Sequence, residues 1–165
     1  MSFKYRHPQA DAIIMRTKDI LSQSSTGDLL LNNYQGKIDI IAGPASQGFV
    51  PSENVIFLSV PAMQAQANVE QALDLAGSLI EHKSVAAKGF PEPDVIQDDE
   101  TLTYMHHRNL DLILGVFPVA QELEEQGFKA IAELRHAGLS KLYQAWKTGK
   151  SHEEYVMIYW NMNKG

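Results

Sequence analysis

Six histidines and no cysteine define the side-chain chemistry open to this chain. His107 and Asp111 stand at i, i+4 in a helical stretch, so an imidazole and a carboxylate share one face. Together they could reach one metal ion or one substrate. His106 adjoins them. The competing reading of the same pair is a hydrogen bond on a helix surface. Glu133-Leu134-Arg135-His136 supplies Glu-x-x-His, the half-motif that di-iron carboxylate bundles use twice. A second copy is absent from the sequence, and His136 just before Gly138 also suits the negative end of a helix dipole. His152-Glu153 begins like a zinc-binding string, but Val156 stands where a second histidine is needed, so Glu153 reads as a first-turn carboxylate. The candidate metal ligands are therefore His106, His107, Asp111, Glu133 and His136, with His82 a further histidine in the same half of the chain.

Other chemistries find no support. Without cysteine there is no disulfide framework, thiolate nucleophile or sulfur-ligated metal. Gly-rich nucleotide loops and the Gly-x-Ser-x-Gly elbow are missing. Asp98-Asp99-Glu100 lacks the spaced ligands of a calcium loop and reads as a helix cap. A net charge of −6, with 14 scattered basic residues, argues against a phosphate-binding surface, so nucleic acid is not an expected partner. The apolar-rich run from Leu110 to Ala120 contains Asp111, Gly115 and Pro118 and falls short of a membrane span. The first residues carry charge but no apolar stretch behind it, so no signal peptide is expected. A soluble cytoplasmic protein without a cofactor is the expectation.

These residues have to be positioned by a helix-rich frame. Ordinary apolar and charged fractions (44% and 21%) and a length of 165 residues fit one domain spanning 1–165. Helical spacing runs from Pro8 to Gln23. A break over Ser22–Gly27 follows, then a short helix through Tyr34 capped by Thr26 or Asp28. Lys37–Ala42 and Val55–Val60 read as strands of a small antiparallel unit, with a short third strand at Gly48–Val50 and a stop at Gly43-Pro44. From Asn68 to Ser84 the residues Val69, Ala72, Leu73, Ala76, Leu79 and Ile80 form one apolar stripe, leaving Glu70, Gln71, Asp74 and Ser78 off it. Gly89-Phe90-Pro91-Glu92-Pro93 is a rigid connector. A long helix from Asp98 or Asp99 to Gln126 is expected to bend or split before Pro118. Phe128–Ala137, Ser140–Lys147 (capped by Ser140) and Glu153–Asn161 complete the chain, the last behind a capping box at Ser151–Glu154. The expected class is α-rich α+β, with a small antiparallel sheet packed on helices.

Leu75-Ala76-Gly77-Ser78-Leu79-Ile80-Glu81-His82, Gly89-Phe90-Pro91 and His107-Arg108-Asn109-Leu110-Asp111 resemble segments of a bacterial family of unknown function grouped with the zincin-like metallopeptidases. The resemblance covers roughly residues 36 to 123 and implies a zincin-like scaffold in which a strand leads into an active-site helix. A member with activity would carry His-Glu-x-x-His there. In this chain Gly77 takes the place of the first histidine, Ser78 of the glutamate and Glu81 of the second histidine. The resemblance thus implies a vestigial site at Gly77, Ser78 and Glu81, with His107 and Asp111 as further pocket residues.

Three functions follow as expectations. The first is a peptidase-like domain without peptidase activity, acting as a binding or structural module. The second is a metal-dependent hydrolase with a displaced His/Asp/Glu site, which would take zinc. The third is an α-helical regulatory partner protein. Tyr143, Trp146, Tyr155, Tyr159 and Trp160 crowd the last quarter of the sequence. They either dock the final helix on the core or offer a surface to a protein partner or a second copy.

Overall fold

Residues 6–42, 48–61, 63–88 and 99–163 are those described in the computed structural model; within its helices, the side chains of 87, 88, 99–108 and 163 stand outside the description. The expected Gly43-Pro44 stop and the connector at 89–93 lie outside it too. The element order is α1 (Ala10–Leu21), α2 (Ser25–Asn32), β1 (Lys37–Ala42), β2 (Gly48–Val50), β3 (Val55–Val60), α3 (Val69–Lys88), α4 (Asp99–Glu125), α5 (Ala130–His136), α6 (Ser140–Lys147) and α7 (His152–Asn163). This is a helix-rich α+β chain with a three-stranded sheet.

The sheet is mixed, which corrects the antiparallel expectation. β3 is central: β1 pairs with it in parallel from Lys37↔Val55 to Ala42↔Val60, and β2 pairs antiparallel along its other edge, Phe49 opposite Ile56. Alternation along a strand reports which side chains are buried, not which way its neighbour runs. Because β2 turns back between the two longer strands, β3 emerges running the same way as β1. Val55, Ile56, Leu58 and Val60 are all buried, as a central strand packed against helices requires. Arg6 makes a further bridge to Ile41 on the outer edge of β1, where an Arg6–Asp39 ion pair (2.8 Å) also forms.

α3 is the axis of the molecule. Its residues Ala72, Leu75, Ala76 and Leu79 are buried, and the helix packs against the sheet and against α1, α2, α4 and α5. Its start is fixed by a reciprocal cap: the Gln71 N–H donates to Asn68 Oδ1 and the Asn68 N–H to Gln71 Oε1, both at 3.2 Å. The buried Gln71 is held further by a bond from Gln64 Nε2 at 2.9 Å.

Two expected caps move. Ser24, not Thr26 or Asp28, caps α2, its Oγ accepting from the Gly27 N–H at 2.9 Å. Ser140 is already inside α6, behind Leu139, and no side chain caps that helix. Ser151 does cap α7, accepting from the Glu154 N–H at 3.3 Å. α4 continues through Pro118 as one helix of 27 residues instead of splitting. Its packing on α2, α3, α5, α6 and α7 outweighs the lost backbone donor. Gly127, Gly138 and Gly149 all have positive φ and close α4, α5 and α6. The short α5 and α6 are thereby folded back on α4, and α5 comes to lie alongside α3.

Candidate functional site

Where α3, α4 and α5 meet, a cavity of about 420 Å³ opens. One wall is a stripe of α3: Glu70, Asp74 and Ser78 stand one helical turn apart, and Gly77 and Glu81 lie beside them. From Glu70 to Glu81 the stripe rises about 16 Å. The floor is apolar, with Leu112, Ile113 and Val116 from α4 and Leu73 from α3 itself. The opposite wall is α5, which contributes Glu133, Leu134 and His136, and the chain just beyond it.

The polar groups are unevenly served. Ser78 is only 7% exposed, yet its hydroxyl has no hydrogen-bond partner among the described residues. Such a group costs free energy unless something enters to satisfy it. Burial pushes the Asp74 carboxyl up from 3.8 to about 6, and the nearby charges of Glu70 and Glu133 push the same way. Among the described residues no lysine or arginine lines the cavity, and His136, half-motif partner of Glu133, is the one histidine that does. At the far end the Glu81 carboxylate faces Gly48: a Cβ built there would stand 3.6 Å from Glu81 Oε2. Gly48 also has φ +120, a conformation open to glycine and strained for other residues.

The structure thus brings Gly77, Ser78 and Glu81 together with Glu133 and His136, which are more than 50 residues away in sequence. Asp111 is exposed and is not among the lining residues; Leu112 and Ile113 face the cavity in its place. The side chains of His106 and His107 lie outside the described residues. His82 is occupied elsewhere, its ring held edge-on by Tyr34 (4.8 Å between centroids) and Phe49 (4.9 Å). No group of three His, Asp or Glu side chains among the described residues is placed to hold a metal ion.

Asp74 and Glu70 were not singled out from the sequence. Their signal was present: Glu70, Asp74 and Ser78 form an i, i+4, i+8 polar series on a helix whose first three turns are otherwise mostly apolar, and such a stripe must meet water or a ligand. No protein-family model, curated protein or solved structure matches the chain.

Proposed function

We propose that this chain is a zincin-like domain without peptidase activity and that it works as a binding module whose ligand seat is the cavity on α3. The observation that carries this reading is the make-up of the wall. Gly77, Ser78 and Glu81 all line the cavity, so the positions compared with His-Glu-x-x-His do face a space where a ligand fits. What they offer there is no side chain, a hydroxyl and one carboxylate. Zinc-based peptide hydrolysis needs two imidazoles a turn apart and a carboxylate to take the proton of the attacking water. Gly77 cannot ligate, and the Ser78 hydroxyl is far too weak a base.

Incubation with a fluorogenic peptide library in the presence of zinc tests this. No cleavage above buffer is expected from the wild type. Cleavage that disappears in Glu133→Gln would overturn the proposal.

One observation favours a second reading, the displaced-site hydrolase: Glu133 and His136 line the same cavity as Asp74. In that reading they supply a carboxylate–imidazole pair without Asp111, which is exposed and does not line the cavity. The surroundings support it less, because the floor between the two walls is hydrocarbon. The binding role in the cytoplasm extends to a protein partner or a second copy at α7. Tyr155, Ile158, Tyr159 and Met162 of α7 pack on the core, leaving Met157 (66%) and Trp160 (56%) exposed. With an acidic cavity and a net charge of −6, nucleic acid has no place in the proposal.

A further inference from the structure

We infer that the cavity takes a primary alkylammonium group, its charged head between Ser78, Asp74 and Glu133 and its hydrocarbon stem over Leu73 and Val116. This rests on the reading of the cavity as a ligand seat and names what sits in it.

The acidic residues alone would not carry the assignment; the Ser78 hydroxyl is the independent observation. It is more than nine-tenths buried, lines the cavity and has no partner among the described residues. A buried hydroxyl in that state marks the place where an occupant completes a hydrogen bond. The sign of the occupant's charge follows from its neighbours. Asp74 lies one turn before Ser78 on α3, Glu133 approaches from α5, and among the described residues no lysine or arginine lines the cavity. Bringing an anion there would set like charge beside Asp74 and Glu133, and an uncharged polar group would leave the largely buried Asp74 carboxylate uncompensated.

The shape narrows the class. An ammonium head has three donors directed away from a single stem, which suits three acceptors carried on two facing helices. A guanidinium prefers a coplanar fork onto one carboxylate. The floor offers a stem only hydrocarbon, and Gly77 keeps it open: even a methyl group at that position would reach Leu112 Cδ2, at 3.4 Å. The 420 Å³ of the cavity accommodates a stem of several carbons. Free alkylamines and the side chain of a lysine both present this chemistry.

Titration calorimetry with n-pentylamine and 1-pentanol decides the assignment. The two share a stem and differ in the head group. Pentylammonium should bind at least about tenfold more tightly than pentanol, the factor expected of one charge-assisted hydrogen bond. The double variant Asp74→Asn, Glu133→Gln should bring it down to the level of pentanol. Both changes keep side-chain shape, and a thermal melt confirms that the variant is folded. Nα-acetyl-lysine methylamide binding more tightly than pentylammonium assigns the head group to a lysine of a protein partner; the reverse order assigns it to a free amine. Equal binding of pentylamine and pentanol, or undiminished pentylamine binding by the double variant, would refute the ammonium assignment while leaving the cavity a ligand seat. Binding of neither would remove the seat itself. One equivalent of zinc displacing pentylamine would overturn both readings in favour of a metal site.

Discussion

Gly77 and Leu112 face each other across the seam between α3 and α4, close enough that a Cβ at position 77 would make ordinary van der Waals contact, 3.4 Å from Leu112 Cδ2. Neither side has to move to admit a methyl group. Glycine inside a helix costs roughly 0.5–1 kcal/mol relative to alanine, through the backbone freedom it loses. Gly77→Ala should therefore raise the melting temperature by about 1–4 °C for a chain of this size. It should also shrink the cavity floor and weaken any alkyl ligand. A lower melting temperature would mean that the seam is tighter than described.

Asp74 makes a prediction with a definite sign in pH. Its carboxyl is pushed up to about 6, first by burial and then by Glu70 and Glu133. Between the unfolded value near 4 and the folded value near 6 the native state holds the extra proton, so this group adds stability as pH falls through 6 and withdraws it as pH rises. Asp74→Asn should then stabilise the protein at pH 7 by roughly 2 kcal/mol and have little effect at pH 4. Urea unfolding at the two pH values checks this; an equal change at both would mean that Asp74 is not desolvated.

Glu122 runs the other way. Burial alone would raise its carboxyl, but it accepts the Thr26 N–H at 2.8 Å, the Thr26 hydroxyl at 2.7 Å and the Ser24 hydroxyl at 2.9 Å, and these bonds hold it below the usual range. Its contribution is present above the unfolded pKa and is lost as pH falls through the depressed folded value. Glu122→Ala, which frees the start of α2, should cost about 1–2 kcal/mol at pH 7. Its cost should shrink in acid, as read by the same unfolding experiment. A cost that is constant with pH would contradict the network.

How much of this was legible in the sequence divides along a physical line. Periodicity located α3 and all three strands, because the burial of Leu75, Leu79, Ile56 and Leu58 is written locally. The parallel pairing of β1 with β3 was not legible, since it depends on the path of the chain between them. Nor was the capping of α2 by Ser24 with support from Glu122, 98 residues away. Local propensity at Pro118 predicts a bend or a split, and of these the split does not occur, tertiary packing carrying α4 through it as one helix. At the cavity, Glu133 and His136 are legible from residue type and spacing, whereas Gly77, Ser78 and Glu81 come from the resemblance to a zincin-like family. That they share one space, with Asp74 between them, required the fold.

The claim that this scaffold binds and does not hydrolyse is tested most directly by the zinc content of protein purified after zinc supplementation and gel filtration. With Gly77, Ser78 and Glu81 on the wall, well under one equivalent should remain. About one equivalent, lost in His136→Ala or His107→Ala, would contradict the account and make the displaced-site hydrolase the better description.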